Sequence, residues 1–308
     1  MRVGIFGKYS TPGPVREFYK CMEVHGEEVE GQNPNVWKAG DAIRELDVIV
    51  LYGFGWKQRE IAEFYRERGV VVLVLEQGHT ARPDFWQFGI DRLNWLPEVA
   101  PSSDRRSAIG IEQPKKQTVR GGYVLVLGQK PGDAQHTLED MNVWRQETLT
   151  TLRSSTKKKL VWRRHPKDAK EHGVTGFDLL QHPLDCSLEK SFEGASCCVT
   201  HNSNAGLKAI MQGIPVFCAP ECFYAPVALT EFNFSVQNIQ IPKEEIFEDF
   251  FDRLCYAQWT AEEFNQGLPW EFMKPFVEKE WEANASLRFD TDAQETRGFF
   301  EEIDPDGD

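Results

Sequence analysis

The chain has 308 residues, 41% of them hydrophobic, and carries 35 Lys+Arg against 48 Asp+Glu for a net charge of −13. This length and apolar content suit two α/β lobes of ordinary size and exclude a disordered chain. No apolar run is long enough to span a membrane, and the chain opens on the strand-like MRVGIFG with no secretory signal, so a cytoplasmic protein is expected.

The first lobe reads as a strand over 2–6, a Gly/Pro loop over 7–14, a helix near 15–25, a strand over 47–52, a helix over 57–68 and a strand over 70–75. Apolar runs alternating with helical segments indicate a parallel sheet with crossover helices, a Rossmann-like arrangement. In the loop GKYSTPGP, Gly4 and Gly7 do not have the G-x-x-x-x-G-K-[ST] spacing, which excludes a Walker phosphate loop. Gly7 and Lys8 are still candidates to meet an acceptor at a cleft between lobes, against the plainer reading of a turn. Residues 76–101, EQGHTARPDFWQFGIDRLNWLPEVAP, are dense in aromatics. Phe85, Trp86, Phe88 and Trp95 suit either core packing or a platform on which a base or sugar ring stacks, and Glu76 and Trp86 join the acceptor candidates. The polar stretch 102–117 reads as a linker, which closes an N-terminal lobe of 1–117 on the acceptor side.

The second lobe, 118–269, restarts with a strand over 123–127 and continues through a helix over 138–153, a strand at 160, a segment near 177–180 and an apolar run over 197–199. A helix follows with Leu207, Ile210 and Met211 on its apolar face, then a strand over 213–217 in which Pro215 fits only the start or an edge. Helices near 243–256 and 261–266 come next, and a terminal part, 270–308, holds a helical stretch to about 285 and the acidic end DPDGD. The seven cysteines are odd in number and show no C-x-x-C spacing, so buried free thiols and no structural metal are expected. Between 105 and 170, 15 Lys+Arg face 6 Asp+Glu, so the middle of the chain is basic and its flanks acidic. Within it Lys157-Lys158-Lys159 reads as a solvated loop.

Three segments carry chemistry. Residues 124–133, VLVLGQKPGD, are a buried-type strand running into a Gly/Pro turn with Gln129 and Asp133. Residues 160–166, LVWRRHP, are a strand ending in His165-Pro166, with Arg163 and Arg164 at the carboxyl end, where open α/β sheets bind ligands and one of the two can face a phosphate. Residues 199–232, VTHNSNAGLKAIMQGIPVFCAPECFYAPVALTEF, give a strand, the polar turn His201-Asn202-Ser203-Asn204 and a helix. Unpaired N–H groups and the dipole at such a helix start bind an anion, and Ser203 is its natural cap, with a hydroxyl able to turn to a ligand. An ordinary β-loop-α unit with turn-favoured Ser and Asn is the competing reading. A turn-closing role competes for Asp133, and structural hydrogen bonding competes for His165 and His201.

In this order the segments resemble the motifs of the capsule polysaccharide glycosyltransferases of the KpsC/KpsS type, which transfer Kdo. Gln129 to Asp133 is similar to that family's Q-x-x-x-D, and His165-Pro166 to its His-Pro. The Ser203 loop, Gly206, the Ala-containing helix, Gly213-Ile214-Pro215-Val216 and Phe223-Tyr224 are similar to its rear-lobe motif. The resemblance implies an α/β, GT-B-like fold of two Rossmann-like lobes with parallel sheets facing a central cleft, and a last helix that crosses back to the first lobe. It implies that Asp133 is catalytic and that the His-Pro and Ser-loop elements surround a donor phosphate. Asp133 and His165 are thus the catalytic candidates, and Gln129, Arg163, Arg164, His201, Asn202, Ser203, Asn204, Lys208 and Tyr224 the donor-binding ones. One position departs: the family carries Glu where this chain has Lys208. A lysine accepts no hydrogen bond, so either Lys208 meets phosphate or another group holds the donor ribose.

The expected activity is metal-independent sugar transfer from a nucleotide-sugar co-substrate, with no other cofactor. Fixed donors and cations stabilise the departing phosphate. Asp133 would serve as general base in an inverting reaction, or as nucleophile or oxocarbenium stabiliser in a retaining one, which the resemblance favours. Two acceptors are open. A capsule or envelope glycan is the direct implication of the resemblance, although no basic amphipathic helix for a membrane surface is visible. The other is a 5-hydroxymethylpyrimidine in DNA, as for virus-encoded DNA-modifying glycosyltransferases, and the basic middle tips the reading toward it. A nucleotide-sugar epimerase or a non-catalytic binding module on the same architecture is the alternative of a different class.

Overall fold

The computed structural model describes residues 1–7, 9–10, 13–43, 45–80, 84–100, 102–119, 121–130, 140–168, 174–230, 239 and 241–288. Lys8 and Asp133 lie outside these residues. In chain order the elements are β1 (Arg2–Phe6), α1 (Pro14–His25), β2 (Glu28–Gln32), β3 (Val48–Tyr52), α2 (Trp56–Arg66), β4 (Val71–Gln77), β5 (Phe85–Ile90), α3 (Ser103–Ala108) and β6 (Tyr123–Leu127). They continue with α4 (Met141–Ser155), β7 (Leu160–Arg163), β8 (Leu179–Gln181), α5 (Leu188–Phe192), β9 (Ala195–Val199), α6 (Asn204–Met211) and β10 (Val216–Phe217). The last four are α7 (Glu244–Tyr256), β11 (Gln258–Thr260), α8 (Ala261–Asn265) and α9 (Leu268–Ala283).

The chain divides into two compact units. Unit 1 comprises Met1–Trp95 with Ala257–Asp308, and unit 2 is Leu96–Tyr256. These boundaries differ from the 118 and 270 read from sequence, and contacts between residues distant in the chain give the reason. The stretch read as a linker contains α3, which is fastened to α7 by Arg106 on Asp252 at 3.2 Å and by Arg105 Nε donating to the Cys255 carbonyl at 2.6 Å. At the other boundary β11 enters the sheet of unit 1, pairing with β5.

Unit 1 is a six-stranded sheet in the order β11-β5-β4-β3-β1-β2. β2, β1, β3 and β4 are parallel, and β5 runs antiparallel to both β4 and β11. β1, β3 and β4 are near-continuous apolar runs, as strands covered on both faces must be. β2, EVEGQ, contains a single apolar residue and sits at the edge, where one face meets water. The aromatic segment read as a possible platform is β5. Phe85 and Phe88 are buried, and Trp86 and Trp95 pack against the same core. Gln258 of β11, fully buried, accepts from His79 N at 2.9 Å and Thr80 N at 3.2 Å and donates to Thr80 Oγ1 at 2.9 Å, fixing the loop after β4.

α1 starts with Pro14 in its first turn and stops at Gly26, whose φ of 63° is left-handed and favours glycine. Its Val15, Phe18 and Met22 meet Trp270, Met273 and Val277 of α9 in the core of the unit. The Glu27 carboxylate lies beside this contact. It accepts from Trp270 Nε1 at 2.9 Å, Lys274 Nζ at 2.8 Å and the Met1 ammonium at 2.6 Å.

Unit 2 is a parallel five-stranded sheet in the order β10-β9-β6-β7-β8. Alternation along β6 sends Leu125 and Leu127 to a core built with α6 and α7, and Val124 and Val126 to a second core with α4. The motif strand expected over 213–217 is confined to two residues, consistent with the missing N–H of Pro215. All seven cysteines are free thiols and all but Cys186 are buried. Among the described residues no helix is long and apolar enough to cross a membrane.

Burial opposes ionisation of Glu27, but the hydrogen bonds from Lys274, the Met1 ammonium and Trp270 outweigh it and hold the carboxyl at about 2. A carboxyl held below its unfolded value stabilises the fold above the unfolded pKa, and that contribution is lost as pH falls toward the folded one. Glu27→Gln is therefore expected to lower stability at pH 7 by on the order of 2 kcal/mol. Urea denaturation from pH 7 downward should show the gap to the parent closing between about pH 4.5 and pH 2.

Candidate functional site

The chain order of unit 2 opens a crevice. From β6 it moves outward to β7 and β8, then returns to β9 on the other side of β6, so the connections after β6 and β9 leave the sheet in opposite directions. In open parallel sheets ligands bind outside the carboxyl ends of the strands at such a switch point. Gln129 lies two residues beyond β6, and His201, Asn202 and Ser203 follow β9.

Two amides tie these loops together. Gln129 Nε2 donates to Asn202 Oδ1, and Asn202 N donates to Gln129 Oε1 at 3.3 Å. Both side chains are buried. Gly128 makes the approach possible: its N donates to the Arg163 carbonyl at 2.8 Å, and a Cβ there would stand 2.9 Å from the Trp162 ring.

Ser203 caps α6 as expected, its Oγ accepting from Ala205 N at 3.3 Å, while its own N donates to Thr200 Oγ1 at 3.3 Å. Tyr224 OH donates to the Ser203 carbonyl at 2.6 Å from a fully buried position. This corrects the donor-binding expectation for Tyr224. The phenol anchors the helix start from inside, and burial raises its pKa well above the ordinary value. Gly206 permits the arrangement, because a Cβ would overlap Tyr224 OH and stand 2.8 Å from its Cζ.

The remaining donor candidates separate. His201 is buried, with Nε2 3.4 Å from Glu221 Oε1 and its ring edge-on to Trp144. Asn204, half-buried, opens α6. Lys208 is exposed on the second turn. In the turn after the neighbouring strand β7, His165 Nδ1 accepts from Lys167 N at 3.1 Å, which leaves the ring proton on Nε2. Arg164 folds onto its own turn, Nε donating to the Asp168 carbonyl at 2.6 Å.

Arg163 departs from expectation. It lies on the Val161 face of β7, where its Nη1 donates to the Cys186 carbonyl at 2.8 Å and to Ser191 Oγ at 2.6 Å. Burial pulls its guanidinium pKa below the ordinary value, against the opposing influence of Cys186 and Glu189. The side chain braces β7 to α5 and is committed inside the unit.

Gly7, Glu76 and Trp86, the acceptor candidates among the described residues, gather at the carboxyl edge of the parallel strands of unit 1. Gly7 follows β1, donating to the Gln32 carbonyl at 3.0 Å and lying against Val15. Glu76, half-buried near the end of β4, accepts from Gln77 N at 2.8 Å and stands across from Gly53. Trp86 is held in register between Gln77 and Trp259, so it is part of the sheet rather than an open platform. Exposed aromatics at this edge include Tyr52, the last residue of β3, and Trp56, the first of α2, which is 80% exposed. Lys57 Nζ lies 5.8 Å from the Trp56 ring. The signal that could have found them is Gly53-Phe54-Gly55 between an apolar run and a helix, with aromatics on both sides. Among the described residues no group of three or more His, Cys, Asp and Glu could hold a metal ion.

No protein-family model and no curated protein matches the chain by sequence. Solved structures do match. Thermosulfurimonas dismutans KpsC, beta Kdo 2,4 transferase, superposes with a TM-score of 0.55 at 16% identity, over 82% of this chain and 90% of that one. Thermosulfurimonas dismutans KpsC, beta Kdo 2,7 transferase, gives 0.56 at 17% identity, over 87% and 98%. The likeness is one of fold: two Rossmann-like units of the GT-B type, as the motif resemblance implied.

The seating of α6 is directly testable. Tyr224→Phe is expected to lower unfolding stability by about 1 kcal/mol through loss of the bond to Ser203. Gly206→Ala should cost more, about 2 kcal/mol, because the phenol must move out of packed core. Chemical denaturation of both variants checks the order of the two effects.

Proposed function

We propose that the protein is a glycosyltransferase that moves a sugar from a nucleotide-sugar donor to a hydroxyl of a glycan. The observation that carries this reading is the Gln129–Asn202 amide pair beside the capped start of α6, at the switch point of a parallel sheet. A helix start fixed in this way offers aligned N–H dipoles to a departing phosphate and needs no reorganisation when charge develops. The fold shared with two structures titled as KpsC Kdo transferases supports the same reading.

In this proposal unit 2 takes the donor. Ser203, Asn204 and the first turn of α6 receive the phosphate, Gln129 and Asn202 hold the loops in place, and His165 offers its Nε2 proton. Lys208 and Arg164 supply positive charge from exposed and half-buried positions. Asp133 is the reacting carboxylate, as base or as nucleophile. Unit 1 takes the acceptor, with Glu76 among its polar contacts and Tyr52 and Trp56 as stacking surfaces for sugar rings. Transfer proceeds without a metal, and activity is expected to survive EDTA.

A glycan is preferred to 5-hydroxymethylpyrimidine DNA because five of the fifteen Lys and Arg of 105–170 already have partners or are buried within unit 2. Arg105 and Arg106 bind α7, Arg153 pairs with Asp178 at 2.9 Å, Arg163 is committed to Cys186 and Ser191, and Arg145 is buried. A polyanion needs such charges free on one face.

The test incubates the protein with a panel of nucleotide sugars and either oligosaccharide acceptors or 5-hydroxymethylpyrimidine DNA, and weighs the products by mass spectrometry. A sugar-mass increment on the oligosaccharide is expected. An increment on the nucleoside would move the acceptor to DNA, and conversion of the donor with no acceptor present would make the protein an epimerase. Asp133→Asn is expected to reduce the increment by about 10³-fold and His165→Ala by about 10²-fold. Unchanged turnover in both variants would overturn the site.

A further inference from the structure

The segment β9–α6–β10 has the connectivity of the mononucleotide half of a dinucleotide-binding sheet. β9 leads through the Ser203 cap into α6 and returns as β10, which pairs in parallel with β9 on the side away from β6. The switch point lies on one side of β9 and the returning strand on the other. In sheets of this order a phosphate sits at the helix start, and an acidic side chain past the returning strand, about 20 positions on, takes the ribose hydroxyls. Glu221 occupies that place, in the loop after β10.

Contacts on the loop bring its carboxylate to the crevice. Ala219 N donates to the His201 carbonyl at 2.8 Å and Cys222 N to the Ala219 carbonyl at 3.0 Å, so the loop after β10 is laid along the loop after β9. Glu221 Oε1 stands 3.4 Å from Nε2 of the buried His201, the residue that precedes Asn202 and Ser203, while the Glu221 side chain stays 49% exposed. The group is therefore turned to the switch-point loop and still open to a ligand. A ribose diol needs acceptors, and α6 does not supply them. Past Asn204 its first turns carry Ala205, Gly206, Leu207 and Lys208, none with a side-chain acceptor, and Lys208 stands where the resembled family has Glu. Two further carboxylates are committed elsewhere. Asp140 caps α4, its Oδ1 accepting from Asn142 N at 2.7 Å. Glu189 is turned to the start of α5, where its own N–H bonds the carboxyl and, against burial, holds it below the ordinary value.

We propose that Glu221 accepts hydrogen bonds from the ribose hydroxyls of the nucleotide donor and so selects ribonucleotides, leaving Lys208 to the phosphate. The inference rests on the reading of unit 2 as the donor side, and its test reads binding rather than transfer. Calorimetric titration of the full-length protein compares CMP, UDP, GDP and ADP with their 2′-deoxy counterparts. At least one ribonucleotide is expected to bind, about tenfold more tightly than its 2′-deoxy form. Glu221→Ala should weaken that ribonucleotide about tenfold and leave the 2′-deoxy form unchanged, which brings the two affinities together. Lys208→Ala should weaken both forms by the same factor and keep the preference. Should Glu221→Ala fail to fold, Glu221→Gln decides: it has the same shape with one acceptor oxygen in place of two, and should cut the preference about threefold. Equal affinity of the parent for both forms, a preference kept in the Glu221 variants, or one abolished by Lys208→Ala would overturn the proposal and leave the donor reading standing. Failure of every nucleotide to bind would overturn both.

Discussion

Two amide side chains hold together what the connectivity of unit 2 drives apart. The chain leaves β6 toward β7 and leaves β9 toward β10, so the two loops diverge, and the reciprocal Gln129–Asn202 pair closes the angle between them. Both groups are buried, where a broken amide bond leaves its partner unsatisfied and the penalty exceeds the worth of the bond itself. The start of α6 inherits this rigidity. Its cap, Ser203, is bonded at its N–H to Thr200, at its Oγ to Ala205 and at its carbonyl to Tyr224.

Unit 1 divides its aromatic residues between two uses. Phe18, Phe88, Phe264 and Trp270 meet ring against ring in the core between sheet and helices, at centroid distances of 5.8 to 6.4 Å. Tyr52, at the end of β3, and Trp56, at the start of α2, are instead exposed. A core aromatic gains from area removed from water, whereas an exposed one keeps that gain in reserve for a ligand.

The sequence conveyed the central strands well and the edges poorly, for one physical reason. A strand covered on both faces must be apolar along its length, as VLVL in β6 and VIVLY in β3 are, while β2 needs only backbone partners on one side and is written EVEGQ. Polar turns after apolar strands are common, so the loops at the switch point were legible only through three motifs standing together in the order of the resembled family. What the residues did with their side chains was less legible. Arg163 and His165 look alike in LVWRRHP, yet strand alternation turns Arg163 inward to Ser191 and leaves His165 on the turn. The aromatic run at 85–95 was ambiguous because a strand core and a stacking surface use the same residues, and only the antiparallel pairing of β5 separates them. The boundary at Leu96 was hidden by the polarity of α3, whose arginines act through distant carbonyl and carboxylate partners.

Unit 1 is sewn shut from far along the chain. β11 supplies its outermost strand on one side, and Gln258 fastens the loop at His79 and Thr80 across 179 and 178 positions of sequence. On the ribosome this orders the two halves of the molecule. Unit 2 has every strand it needs once Tyr256 has emerged, whereas the half begun first waits, its β5 edge unpaired, until the following residues are made. Synthesis therefore completes the inner unit before the outer one, and the exposed edge of the waiting sheet is the point at which a nascent chain would associate with its neighbours.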